Sequence, residues 1–331
     1  MRVQNETNRK IPWFHGGRSS GRLLLVVAVV SLATPRFFQV QNLSNISLQV
    51  ATVAVISIGA TLVIVTGGID LSPGSTAALV TCTLAILVKN HGLPLPVGIA
   101  LVLLLGIVCG FINGLFSTYG KIPSFIVTLA TMSIYRGLAF LITNGTPIFS
   151  VSPQLDPMFY GKLVGIPLPF YYVAGLYIVG TVFLRNTIPG RGIYAVGGNE
   201  SAARLTGIRV NRTRLMAFIL AGLSAAIGGV LMAAWLNSGS PNYGENLGLQ
   251  SIAAAVIGGA SLMGGVGSMI ATLVGALIVA VVQNGLNLLA VPASWQDITL
   301  GSVIVLAVGV DMWRSSIGNA LSRLSRRTRA K

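Results

Sequence analysis

The sequence predicts an all-α, polytopic membrane protein with about ten transmembrane helices, some broken at glycine-rich motifs, arranged as two loosely related halves. Three observations predict it. First, 53% of the 331 residues are apolar and only 9% are charged, whereas a soluble domain carries about a quarter charged residues. Second, several apolar runs approach or reach the roughly 20 residues needed to cross hydrocarbon, too many and too long for the buried helices of a soluble α-protein. Third, 40 glycines are scattered among apolar residues with no G-x-y period. That pattern excludes collagen and flexible linkers and suits helices whose backbones approach closely in a bilayer. A β-barrel is excluded because the runs are continuous, while outer-membrane strands alternate polar and apolar positions.

The elements follow in order. Residues 1–22 form a basic segment holding Arg2, Arg9, Lys10, Arg18 and Arg22. The membrane domain is expected over 23–313, with apolar runs at 23–38, 46–66, 73–89, 94–117, 123–143, 167–185, 214–236, 249–265, 267–289 and 298–313. A hydrophilic interval, 186–213, separates the sixth and seventh runs, and a basic tail occupies 314–331. Ser31-Leu32-Ala33 loosely matches a signal-peptide cleavage site, but the chain beyond it is itself a membrane domain and the topology uses this helix, so it is read as retained. Trp235, Trp295, Trp313 and the run Phe170-Tyr171-Tyr172 fall near expected span ends, where amphipathic rings anchor at the interface. Cys82 and Cys109 lie inside apolar runs and read as reduced packing residues, without metal-ligand spacing.

The net charge of +15 raises nucleic-acid binding as an explanation. Its distribution argues against that: the cations border apolar runs, in the positive-inside pattern. With both termini cytoplasmic, the N-terminal block, Lys121, the 186–213 interval and the tail all fall inside, leaving Arg36, Lys89 and Lys162 outside and Arg136 within the fifth run.

The chemistry centres on Asp70, one of only seven acidic residues. It sits between two apolar runs in Gly67-Gly68-Ile69-Asp70-Leu71-Ser72-Pro73-Gly74. An ionisable group near bilayer depth is costly unless it faces protein or water. It has two readings: a wall of a translocation path, or a carboxylate held against the N-terminus of a helix starting near Ser72. The candidate path residues are Asp70, Ser72, Asn113, Thr128, Thr131 and Asn284; an intramembrane Asn or Thr also serves to bond another helix. The glycine motif recurs as Gly258-Gly259-x-x-Leu262-x-x-Gly265, and Asn113-Gly114 as Asn284-Gly285, a weak echo of related halves. No G-x-x-x-x-G-K-[ST] loop occurs, and no His/Cys/Asp constellation for a nucleophile, metal or cofactor; His15 and His91 stand alone. Any ATP hydrolysis belongs to a separate chain. A secondary sugar or cation transporter driven by an ion gradient is the alternative, and a membrane scaffold is the third reading.

The joint occurrence of several stretches carries a resemblance. They are Gly67-Gly68-Ile69-Asp70-Leu71-Ser72-x-Gly74-Ser75, Asn113-Gly114, Pro123-Ser-Phe-Ile-Val-Thr-Leu-Ala-Thr131, and the stretch from Gly192 to Gly207 that contains Tyr194, Gly197, Gly198, Asn199, Glu200 and Arg204. Val256 to Gly265 and Asn284-Gly-Leu286 complete the set. Over about residues 45–312 the chain resembles the ribose-type permease family of bacterial ABC sugar importers. The resemblance implies a multi-pass subunit of the bacterial inner membrane that works as a pair. It also implies two ATP-binding subunits on the cytoplasmic face, a periplasmic sugar-binding protein outside and a monosaccharide as cargo. The stretch matching 190–208 resembles the segment that touches the ATPase, so Gly192, Tyr194, Gly197, Gly198, Asn199, Glu200, Arg204 and Gly207 are its candidate coupling residues. Read from the residues alone, that interval is cytoplasmic by charge and too polar to cross, with Glu200 and Arg204 at the i,i+4 spacing of an exposed pair. The chain departs from the family pattern at Pro73, where a small β-branched residue is usual. It departs again at Glu245-Asn246-Leu-Gly-Leu-Gln250, where a Tyr-Glu-Leu core is common.

Overall fold

The structure, a computed structural model, describes residues 16–303, 305, 306 and 309. The basic stretch 1–15, with Arg2, Arg9, Lys10 and His15, and the tail from 310 onward, with Trp313, lie outside the described residues. Twelve main helices are present among the described residues: α1 Gly16–Ala33, α2 Val40–Val65, α3 Pro73–Ala85, α4 Leu95–Thr118, α5 Ser124–Thr143, α6 Leu155–Tyr160, α7 Leu168–Asn186, α8 Ile188–Gly198, α9 Glu200–Leu205, α10 Val210–Leu236, α11 Leu247–Gly258 and α12 Met269–Leu288. A π-type turn, Ile86–Asn90, extends α3, and residues 293–303 are also helical. The only strand pairings among the described residues are two short antiparallel bridges, Ile148–Phe149 with Ser238–Gly239 and Lys162–Leu163 with Ile166–Pro167.

Prolines set several helix starts. Pro73 opens α3, and Pro96, Pro169 and Pro189 fall in the first turns of α4, α7 and α8, where the missing N–H has no helical partner to lose. Left-handed residues end others: Asn144 after α5, Asn237 after α10 and Gly259 after α11.

Two helices organise the bundle. α2 and α10 pack against each other; α3 and α4 cover α10, while α7, α11 and α12 cover α2. Almost all of α2 is buried. α4, α5 and α7 instead present Leu104, Phe116, Phe125, Leu141, Ile178 and Val179 outward, the arrangement expected when lipid is the solvent. Small residues set close crossings: a Cβ at Gly222 of α10 would lie 2.2 Å from the Gly106 carbonyl oxygen of α4. Without a hydrophobic drive between helices in lipid, such backbone contact supplies much of the packing energy.

The expectation of about ten spanning helices is corrected. Among the described residues, six are long and apolar enough to cross a membrane: Gln41–Val65 of α2, and α4, α5, α7, α10 and α12. The apolar part of α1, Gly21–Ala33, and α11 are shorter, and α3 has 13 residues before its π turn. Hydropathy counts apolar residues wherever they fall, and it cannot separate a spanning helix from a short one shielded by its neighbours. α3 and α11 are short and buried along nearly their whole length. The glycine-rich motifs do not break helices either. The first joins the end of α2 to the start of α3, and the second joins α11 to α12. The echo between halves also stops short of the asparagines, because Asn113 and Asn284 bond to unrelated partners.

Candidate functional site

Five of the six candidate path residues meet in one place. The connector between α2 and α3 carries Asp70, whose Oδ1 accepts from the Ser72 backbone N–H at 2.9 Å and from the Ser72 hydroxyl at 2.7 Å. Ser72 is the N-cap of α3, so Asp70 fixes the capping residue and does not cap the helix directly. Asn113 Nδ2 of α4 donates to Ser72 Oγ at 2.8 Å, and Thr131 Oγ1 of α5 donates to Asn113 Oδ1 at 2.6 Å. One turn earlier on α5, Thr128 reaches the Ile69 carbonyl at 3.3 Å, and Ser124 Oγ accepts from Ile69 N–H at 3.0 Å. The network thus ties the start of α3 to α4 and α5. Asp70, Ser72, Asn113, Thr128 and Thr131 are all buried, and they bond mainly to one another and to nearby backbone. Asn284 is elsewhere. It exchanges two amide hydrogen bonds with Asn42, at 2.9 and 3.0 Å, clamping α12 to α2.

The hydrophilic interval folds into α8 and α9. Thr187 caps α8 by accepting from Gly190 N–H at 3.1 Å, and Asn199 caps α9 by accepting from Ala202 N–H at 3.0 Å. The far end of α8 rests on bare backbone. A Cβ at Gly197 would lie 1.8 Å from the Val65 carbonyl oxygen and 2.5 Å from the Gly265 nitrogen, and one at Gly264 would approach Gly197 O at 2.8 Å and Gly67 N at 3.0 Å. Tyr194 adds a hydrogen bond from its hydroxyl to the Gly267 carbonyl at 2.8 Å. Both glycine motifs therefore converge on Gly197, while Gly198 beside it faces open space. Gly192 lies loosely against Thr213, and Gly207 turns the chain out of α9 with a positive φ.

Glu200 makes the i,i+4 pair with Arg204 at 2.7 Å and a second pair with Arg214 of α10 at 2.8 Å. Hydrogen bonding from Arg204, reinforced by Arg214, holds its carboxyl below the ordinary carboxylate range. These residues rim a cavity of about 580 Å³ with Lys121, Ser124 and the Thr66–Gly68 connector.

One polar contact has no local sequence signature that names its partner. Arg136, in the middle of α5, donates through Nη1 to the Pro241 carbonyl and to the Tyr243 carbonyl, the latter at 2.7 Å. These carbonyls belong to residues 237–246, a non-helical stretch between α10 and α11. Ser240 N–H reaches Thr81 Oγ1 of α3 at 3.4 Å, and the Ser238 and Tyr243 hydroxyls share a 2.7 Å bond. Asn242 and Glu245 of this stretch are exposed. The signal in the sequence was a lone arginine inside an apolar run, together with Pro241 and Gly244 in the interval between the runs 214–236 and 249–265.

Known proteins match the sequence over nearly its whole length. The family model described as the permease component of the branched-chain amino acid transport system matches residues 42–308. The ribose import permease protein RbsC of Escherichia coli strain K12 is 40% identical over 303 residues, covering 90% of this chain and 94% of the relative. RbsC of Bacillus subtilis is 40% identical, covering 89% of this chain and 92% of its own length. The xylose transport system permease protein XylH of Haemophilus influenzae is 35% identical, with 87% and 94% covered. No solved structure matches the chain.

Proposed function

The chain belongs to the family of permease components of the branched-chain amino acid transport system, and on that premise we propose that it is the membrane-spanning subunit of an ATP-driven importer carrying ribose or a similar monosaccharide. The observation that carries the choice of sugar over amino acid is the 40% identity to ribose permeases along 90% of the chain. Partial likeness would support only the fold; end-to-end likeness supports the same working parts. In this reading the protein lies in the bacterial inner membrane with both termini in the cytoplasm. It pairs with a second copy, receives sugar from an outer binding protein and docks two ATP-binding subunits on its inner face.

The residues from Gly192 to Gly207, within the cytoplasmic interval 186–213, form the coupling segment. Gly197 seats it on the bundle, Tyr194 pins it, and Asn199, Glu200 and Arg204 hold its exposed second helix. ATP binding by the partners draws two such segments together and turns the path between the permease copies outward; hydrolysis resets it. The Asp70–Ser72–Asn113–Thr131 network and Thr128 keep the wall of that path in register, and the Asn42–Asn284 pair does the same for α2 and α12. The test is reconstitution in liposomes with the ATP-binding and sugar-binding partners. ATP-dependent uptake of labelled ribose or xylose is the expected result. Uptake by the purified chain alone under an ion gradient, or no uptake of any monosaccharide, would overturn the reading.

A further inference from the structure

The stretch 237–246 is unusual for its depth. It begins at the bridge that pairs Gly239 with Ile148, then runs back along α3: Gly239 lies against Thr81, Gly244 against Gly74 and Gly248 against Leu71. From Thr81 to Gly74 the helix advances about 10 Å at 1.5 Å per residue. Non-helical backbone survives at such depth only where protein buries it or where it lines a wet cavity. Here protein buries one side, and the other side is open. On the inner side, Arg136 takes two backbone carbonyls and Thr81 takes an N–H. On the other side, Asn242 and Glu245 are exposed, with Glu245 in the electrostatic reach of Arg136. A carboxylate at this depth does not face lipid, so it faces water or a second copy.

We propose that Asn242 and Glu245, held in place by Arg136, bond the hydroxyls of the monosaccharide as it passes; this rests on the permease reading above. The chemistry fits that cargo. An ionised carboxylate only accepts hydrogen bonds, while an amide both donates and accepts, so the pair matches hydroxyls, which do both. Opposite charges on Arg136 and Glu245 leave the site close to neutral, as an uncharged solute requires. Arg136 is a positioning residue: both of its bonds go to backbone.

The test uses the reconstituted complex with saturating sugar-loaded binding protein, so that the permease and not sugar capture limits uptake. Glu245→Ala and Asn242→Ala should change the ratio of maximal ribose to xylose uptake by at least fivefold, whereas a purely structural role would lower both sugars alike. A second measurement uses Asn242→Cys, since the native Cys82 and Cys109 are buried. A charged, water-soluble thiol reagent should label the introduced thiol, and ribose transport conditions should slow labelling at least threefold. An unchanged sugar ratio in assembled alanine variants, or an introduced thiol that does not label or is indifferent to ribose, overturns the proposal. A wild-type complex that imports no monosaccharide overturns the permease reading itself, and this inference with it.

Discussion

Replacing Gly197 by alanine tests the seat of α8 most directly. The added carbon would lie 1.8 Å from the Val65 carbonyl oxygen, so α8 must retreat by roughly 1.5 Å to reach van der Waals contact. Overpacking of this kind costs about 1–3 kcal/mol. The retreat also strains the Tyr194–Gly267 hydrogen bond, now 2.8 Å long, and a bond of this sort contributes about 1 kcal/mol. The sum, about 2–4 kcal/mol, lowers Tm in detergent by roughly 4–16 °C at about 2–4 °C per kcal/mol. Gly198→Ala is the internal comparison, because a Cβ there meets nothing within 4 Å; its Tm should stay within about 2 °C of wild type. ATP-coupled ribose uptake by Gly197→Ala should fall at least tenfold if the seat transmits movement, since about 1.4 kcal/mol already corresponds to a tenfold shift in a two-state equilibrium. Equal Tm values for the two variants, or wild-type uptake by Gly197→Ala, would refute the argument.

Asn284→Leu leaves the Asn42 amide without its reciprocal partner and should destabilise the chain by about 1 kcal/mol, whereas replacing both Asn42 and Asn284 by leucine should cost less than the two single leucine changes together; thermal unfolding of the four chains of this double-mutant cycle measures it. Thr131→Val removes the donor to Asn113 at nearly constant volume and should cost about 0.5–1.5 kcal/mol, read as a lower Tm with unchanged helical content by circular dichroism. Glu200→Gln removes both exposed ion pairs and should cost less than about 1 kcal/mol. Because the Glu200 carboxyl is held below its ordinary range, its contribution is complete at neutral pH. It is lost as pH falls through the lowered value, so the Tm gap between wild type and variant should narrow on acidification below the ordinary carboxylate range and close once Glu200 is protonated in the folded chain.

Much of the architecture was legible from simple physics. Long lipid-facing helices such as α4 and α7 announce themselves by hydropathy, and their ends coincide with prolines that cannot sit mid-helix. The short helices did not declare themselves. α3 and α11 are as apolar as a spanning segment, yet their length is set by tertiary contacts that no local pattern encodes. The polar candidates divide in the same way. Asp70, Ser72, Asn113, Thr128 and Thr131 could be picked out as polar groups in apolar surroundings, but only their placement reveals that they bond mainly to one another and to nearby backbone. Asn284 carries the same sequence signature and sits in a different clamp. Arg136 was visible as an oddity within a run; its meaning depends on the carbonyls of Pro241 and Tyr243, which lie more than a hundred residues away.

The recurrence of the glycine motif finds a physical reason at α8. Gly67 and Gly259 each adopt positive φ where a buried helix ends, at α2 and α11. The chain around each turn supplies backbone to one small area: the first presents Val65 O and Gly67 N, the second Gly264 and Gly265. Gly265 N–H even donates to Val65 O at 2.8 Å, joining the two turns. α8 therefore rests on two connectors at once, through backbone atoms that cannot change rotamer. A contact made by flexible side chains absorbs a small displacement by repacking, whereas one made by backbone passes it on. A push on α8 reaches the end of the central helix α2 and the α11–α12 turn together. Bulk at Gly197 wedges that junction apart, while bulk at Gly198 projects into open space.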